Sequence, residues 1–415
     1  MTNSQHDNSE YPAEFLLRIP KTDLHCHLDG SIRLSTLIEL AAAQSILLPA
    51  YTVSELKEIV FKPKYLSLEE YLECFKYTTA VLRNPDALVR VAYELAIDQF
   101  SIGVRYSPQL LAVPGVLTVE DAIEKVHEGL ARACTEFNAL PPVANGEEPE
   151  YKYGIILCAI RHFTKDSSPW YKAFWEMHEH EGEKRIYGLA SVSLVATADK
   201  LRTNKNTPIV GVDIAGAESG FPAEDHKEAF SLAHKKFFFK TVHAGEGYGP
   251  ESIFQAITDC HAERIGHGFH IFDTTNFSNP ERSLESKESY VEALIQYMSS
   301  MRVCIEVCLT SNLQTLPNTL LEQHPARKMI EKKMAISLCS DNMTVSSTNV
   351  LNELKLAIHA FKLTPWQVKD ITMTGFKRSF MFGDYVVKRA YNRKVIEFYD
   401  KLAKEYGVIS LRNTD

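Results

Sequence analysis

Short β-branched runs recur along the chain, separated by longer stretches in which apolar residues return every three or four positions. The runs predict eight strands, over residues 21–27, 103–106, 154–161, 210–215, 240–244, 264–268, 303–307 and 336–340. The stretches between them predict helices over residues 34–43, 68–82, 85–100, 119–137, 169–178, 227–236, 253–260, 287–299 and 318–332. In the helix that opens at Val119, Ala122, Ile123, Val126, Leu130 and Ala133 share one face. Eight strands alternating with helices predict an α/β fold, a (β/α)8 TIM barrel with additional helices. An open doubly wound sheet is the rival. Against it, the first strand runs into no G-x-G-x-x-G turn, and polar residues stand at nearly every strand's C-terminal end.

Residues 138–150 and 276–289 are rich in turn formers and charge and predict insertions without regular structure. A helical cap is predicted over residues 365–406. Residues 1–10 are expected to be disordered, leaving 11–415 as one barrel domain, a length that a barrel with insertions takes up.

Composition narrows the class. An apolar fraction of 45% and a charged fraction of 24% suit an ordinary globular protein. The net charge of −8 argues against a surface built to neutralise nucleic-acid phosphates. No apolar run is long enough to cross a bilayer, and the N-terminus is polar and acidic where a signal peptide is basic and then apolar. The expected address is the cytosol, with no nucleic-acid or membrane partner. The eight cysteines are scattered and read as reduced, buried thiols. Cys304 and Cys308, four apart on a strand, lie more than about 10 Å from one another and cannot grip one metal.

The strongest local chemical signal is His25-Cys26-His27 at the end of the first strand. Residues at i and i+2 point to the same side of a strand, so two imidazoles at that spacing can ligate one ion or merely cap the strand. His243 ends the fifth predicted strand, His267 the sixth, and Asp341 follows the eighth. In a barrel those ends converge on the face where active sites lie, which favours one site built from all of them. Imidazoles with one carboxylate suit zinc, although other divalent metals stay open. His267 is a suitable base or electrostatic partner for a metal's water, or a packed core histidine. Glu246, three residues beyond His243, can give a proton to a substrate, or is a solvated loop carboxylate.

The motifs KTDLHCHLDGS, VRYSP, ILCAIRH, GVDIAGAE, TVHAGE, ERIGHG, TSN and SLCSDN occur in this order through nearly the whole chain. In this the chain resembles the adenosine deaminases, zinc (β/α)8-barrel enzymes of the amidohydrolase superfamily. The resemblance implies one Zn2+ per subunit on His25, His27, His243 and Asp341, with Glu246 as proton shuttle to purine N1. It implies His267 beside the attacking water, with His267 and Asp341 stabilising the charge that develops there. It implies Gly216 meeting purine N3 through its backbone N–H, and Asp29 binding the ribose 5′-hydroxyl. Ser107 and Arg161 match supporting positions without a catalytic role. Tyr71, Leu72 and Phe75, on one predicted helix, resemble the apolar lid over the ribose, although core packing accounts for them equally well. The implied reaction turns adenosine or 2′-deoxyadenosine into inosine or deoxyinosine plus ammonia, in purine metabolism, by a monomer whose partner is a small purine nucleoside.

One position departs from the family pattern. Two successive aspartates followed by proline are usual after the eighth strand, and here the run is Ser340-Asp341-Asn342-Met343. The second aspartate donates to purine N7 only while protonated, whereas the Asn342 amide donates without a trapped proton. Purine recognition is expected to survive with a different pH dependence. Adenine, 5′-methylthioadenosine and aminodeoxyfutalosine are the alternative substrates. A 5′-phosphate beside Asp29 would be repelled. A non-catalytic zinc barrel is disfavoured because the acid and all four ligands are present.

Overall fold

The computed structural model describes residues 11–112, 117–316 and 318–408. Its centre is a ring of parallel strands: β1 (Lys21–Thr22), β2 (Val104–Ala112), β3 (Lys152–Ile160), β4 (Ile209–Ala215), β5 (Phe239–Ala244), β6 (Arg264–His267), β7 (Cys304–Val307) and β8 (Ile336–Leu338). Each strand pairs with the next in chain order. The ring closes just past β1 and β8, where Asp341 N donates to the His25 carbonyl at 2.8 Å and His27 N to the Asp341 carbonyl at 2.7 Å. This is the expected (β/α)8 barrel. Helices cover its outside, so the strands are buried on both faces and read as nearly continuous apolar runs. No helix among the described residues is long and apolar enough to cross a membrane.

Several elements differ from the pattern reading. The first strand is regular only over Lys21–Thr22. Beyond it the Asp23 carboxylate, not a backbone carbonyl, takes the N–H of Ser340 at 3.1 Å. Pairing resumes as single bridges at Cys26 and His27. The expected 68–82 helix is two, Leu68–Leu72 and Phe75–Val81, because Cys74 N bonds back three residues to Tyr71 while its thiol meets the Val60 carbonyl. Tyr71, Leu72 and Phe75 therefore span two helices. The expected 318–332 helix reduces to a turn at Leu321–Gln323 and a helix at Ala326–Glu331, since His324 precedes a proline and is steered out of helical conformation.

Both proposed insertions carry structure. Pro141–Ala144 forms a helical turn, and the helix Leu284–Met301 starts inside the second segment, capped by the Ser283 hydroxyl. Helices Ala13–Arg18, Val53–Ile59, Glu183–Lys205, Leu309–Thr315 and Val350–Phe361 were not foreseen. The C-terminal cap is a pair, Pro365–Arg378 and Tyr385–Glu405. The expectation for residues 1–10 lies outside the described residues.

Helix Pro365–Arg378 packs under the closure of the ring, and Gly375 is where it touches. A Cβ there would stand 2.0 Å from Thr22 Oγ1 of β1 and 2.9 Å from Ser337 Oγ of β8. Helix propensity alone favours Gly375→Ala by about 1 kcal/mol, whereas overpacking against a stiff, buried threonine costs about 1–3 kcal/mol. The clash is expected to win, lowering the urea midpoint of Gly375→Ala with an unchanged slope. A raised midpoint would show a slack seam.

Candidate active site

Two imidazoles follow β1, one stands near the end of β5, and one carboxylate lies beyond β8, so four donors meet at the C-terminal mouth of the barrel. One donor atom from each of His25, His27, His243 and Asp341 can be chosen so that all lie within 4.8 Å of one another. His27 Nε2 is 3.1 Å from His243 Nε2, and Asp341 Oδ1 is 3.5 Å from Nε2 of both His25 and His27. Donors around one tetrahedral zinc at ordinary bond lengths are about 3.3 Å apart. His25 Nε2 is buried and has no hydrogen-bond partner. An unpaired buried nitrogen at this spacing is what a cation would satisfy, and the set fits a divalent ion.

A second layer of carboxylates orients the imidazoles. Glu306, on β7 and fully buried, lies 2.7 Å from His25 Nδ1. Asp213 of β4 lies 3.0 Å from His243 Nδ1. The Glu306 contact fixes the His25 ring and leaves its far nitrogen free to face a metal, whereas Asp213 approaches His243 Nδ1 without hydrogen-bond geometry. Burial drives His27 down to about 4 and His243 well below its ordinary value, so both are neutral, as ligation requires. His25 is raised: burial works against its charge, but Asp341 and Glu306 outweigh it. Asp341 stays far below the usual carboxylate range, because the surrounding imidazoles outweigh its burial.

His267 and Glu246 stand at the edge of this group. His267 Nε2 is 3.6 Å from Glu246 Oε1, and its Nδ1 is 3.1 Å from the Asn312 amide. Burial drives His267 down to about 4. Glu246 is pushed up to about 8 by burial, then by the charges of Asp341 and Glu218, so it holds a proton at neutral pH. Its loop is fixed by Glu218, whose carboxylate accepts the N–H groups of Gly245, Glu246 and Gly247 at 2.7–3.0 Å. Arg161 also supports the site, donating to the His243 carbonyl. His267 and Asp341 both adopt left-handed backbone, φ 64° and 59°. Strain of this kind persists only where surrounding bonds over-determine it.

A cavity of about 510 Å³ opens over the group, within the range of small-ligand pockets. Asp29, Gly216, Tyr71, Leu72, Phe75 and Asn342 all line it, as do His27, His243, Glu246, His267 and Asp341. Burial raises Asp29 to about 7, and its Oδ1 has no partner. Gly216 turns the chain at φ 110°. The Asn342 amide donates to the Tyr71 hydroxyl at 2.8 Å, and its Oδ1 is packed over Gly30, where a Cβ would come within 1.7 Å.

Sequence reasoning missed Glu306, Asp213, Glu218 and Asn312. For Glu306 and Asp213 the available signal was a lone acid inside an apolar parallel strand, CIEV and IVGVDIA. Cys308 joins His25 and His267 in a second close group, but burial holds its thiol well above the ordinary value and leaves it a poor ligand.

The chain matches the family model described as adenosine deaminase over residues 20–182 and 183–397. It is 31% identical to an adenosine deaminase of Clostridium kluyveri, over 96% of this chain and 98% of that one. It is 32% identical to a probable adenosine deaminase of Dictyostelium discoideum over 90% of this chain, which spans 42% of that longer relative. Among solved structures, an amidohydrolase from Burkholderia ambifaria with bound Zn aligns with a TM-score of 0.74 at 21% identity, covering 97% and 98% of the two chains. The N6-mAMP deaminase of Arabidopsis aligns at 0.68 and 22% identity, covering 92% and 99%. At these identities the structural likenesses bear on the fold alone.

The second layer yields a prediction. Glu306→Gln keeps the shape but removes the charge that faces both His25 and the buried Arg264. Divalent-metal affinity, measured by competition with a chelator, is expected to fall about 10–100-fold. Unchanged affinity would show that Glu306 does not orient His25.

Proposed function

The chain belongs to the adenosine deaminase family, and on that premise we propose that it hydrolyses the 6-amino group of adenosine and 2′-deoxyadenosine, releasing inosine or deoxyinosine and ammonia. The observation that carries this reading is a buried carboxyl group, Glu246, raised by its burial and facing the same cavity as the four-donor group. In this reading His25, His27, His243 and Asp341 hold one zinc ion. When bound, the ion supplies a water acidified to near neutrality.

The residues then divide the work. Glu246 gives its proton to purine N1, which makes C6 electrophilic as the water oxygen adds there. One proton of that water restores Glu246. The other leaves with the amine as the C6–N bond breaks, so adenosine and water become inosine and ammonia. His267, neutral and held by Asn312, faces the adding oxygen and, with Asp341, stabilises the charge that develops on it. Gly216 lies at purine N3 with its backbone N–H, and Tyr71, Leu72 and Phe75 cover the ribose and exclude water.

The sugar end of the cavity favours a nucleoside. Asp29 is placed for the 5′-hydroxyl, and its unpartnered Oδ1 can accept that hydrogen. Glu69 and Glu73 also line the chamber, and no Lys or Arg is among its described lining residues. A 5′-phosphate would be desolvated there without a counter-charge. Asn342 has one amide hydrogen left after bonding Tyr71, and that hydrogen is the donor for purine N7.

The deciding experiment follows the ultraviolet change when zinc-loaded protein meets adenosine, deoxyadenosine, adenine, AMP or 5′-methylthioadenosine. Turnover is expected for the first two and at least about 100-fold less for AMP. No turnover of any nucleoside with metal bound would sink the reading. Equal rates for 7-deazaadenosine and adenosine would remove the role given to Asn342.

Glu246→Gln is expected to lose about 10²–10⁴-fold in kcat/KM with its metal content intact. Because the acid form of Glu246 is required, kcat/KM should fall as pH rises through its pKa. That alkaline limb is expected at about 8 or below, since a bound cation draws the pKa down. An alkaline limb that survives unchanged in Glu246→Gln would assign it to another group.

A further inference from the structure

At the opposite end of the barrel, where β5, β6 and β7 begin, lies a second cavity of about 350 Å³. Four basic side chains line it: Arg302, Lys377, Arg378 and Lys388. Among its described lining residues Glu263 is the one carboxylate, and it is already bonded to Lys240 Nζ at 2.6 Å. This local excess of positive charge stands in a chain whose net charge is −8.

Helix dipoles account for part of it. Arg302 follows one helix and Lys377 and Arg378 end another, where cations are favourable without any ligand. Lys388 is different. It stands in the first turn of helix Tyr385–Glu405, the unfavourable end for a cation, and donates to the Ser379 carbonyl. Burial, then the charges of Arg264 and Arg378, lower it to about 8. A half-buried lysine beside Arg378 at a helix N-terminus is a cost to the free protein that a bound anion would offset.

The cavity also has an aromatic wall. Phe380 is stacked on Phe239 with centroids 4.8 Å apart and rings 8° from parallel. Phe239 is 42% exposed, and Tyr297, on the same cavity, is 44% exposed. Free aromatic surface beside four cations suits a ligand that is both planar and phosphorylated.

We propose that this cavity binds a nucleotide, with its phosphate against Arg302, Lys377, Arg378 and Lys388 and its base against Phe239 and Tyr297. The site is separate from the catalytic chamber, which lies at the other mouth of the barrel and has no lysine or arginine among its described lining residues. GMP is a suitable probe because it carries no 6-amino group to be hydrolysed.

The test is calorimetric titration of the metal-loaded full chain with GMP, guanosine and inorganic phosphate. GMP is expected to bind at least about tenfold more tightly than either of the others. Arg302→Glu reverses a charge at an exposed position. It should weaken GMP by about tenfold or more; because a cation is favoured at that helix C-terminus, a small fall in the melting temperature of the unliganded protein is expected, with unfolding still cooperative. Phe239→Ala should weaken GMP without changing the binding of inorganic phosphate. Absence of GMP binding at millimolar concentration would overturn the proposal, as would guanosine or phosphate binding as tightly as GMP. GMP affinity unchanged in Arg302→Glu would place any binding elsewhere.

Discussion

The carboxylate of Glu306 is the point on which the inside of the barrel turns. It is fully buried, and it meets His25 Nδ1, Thr241 Oγ1 and Arg264 Nε at once. Those bonds tie β7 to β5, to β6 and to the segment after β1. Burying a carboxylate costs several kcal/mol, and a well-packed apolar core is often as stable as a buried ion pair. Stability alone therefore does not account for Glu306. What an apolar residue cannot supply is a fixed acceptor for His25 Nδ1, which leaves Nε2 turned toward the other three donors. Burial would raise Glu306, but the Arg264 charge outweighs it and keeps the group ionised.

Closing the ring and building the site are one event. The backbone bonds that join the two ends of the barrel run between His25, His27 and Asp341, the same residues whose side chains converge on the ion site. Asp341 reaches that position only in a left-handed conformation, which an aspartate tolerates better than most residues. The chain is held there on both sides, by the Asp341 bonds to His25 and His27 and by the Asp23 bonds to Ser340. Loosening this seam therefore acts on the donor geometry and on the fold together.

The residues at the strand ends were legible because polar side chains interrupt apolar runs at a regular place. His25, His27, His243, His267 and Asp341 all lie where alternation and barrel geometry put them. Glu306 and Asp213 were not read, since each sits inside an apolar run and its value depends on partners from other strands. The helix Glu183–Lys205 was hidden for another reason. It packs against both β3 and helix Lys227–Lys235, so its apolar residues are not confined to one narrow stripe. The break at Cys74 has no glycine or proline to announce it, because a tertiary bond to Val60 sets it. The break before Ala326 was announced by Pro325 and overlooked.

Charge is distributed along the barrel axis with the same economy. The catalytic mouth gathers Asp29, Glu69, Glu73, Glu246 and Asp341, and the far mouth gathers lysines and arginines. Arg264 lies between them, with its guanidinium 3.5 Å from the Phe380 ring and its Nε on Glu306. Screening in salt limits exposed charges to about 8–10 Å, but a buried arginine is screened much less. Arg264 thus touches both a residue that orients His25 and the aromatic wall of the far cavity. This bears on the proposed preference for a nucleoside: a 5′-phosphate in the chamber would meet no lysine or arginine among its described lining residues. Thr79, His162, Ser167 and Ser168 stand beside the carboxylates, none of them a permanent counter-charge, so under that proposal discrimination does not need a tight fit around the sugar.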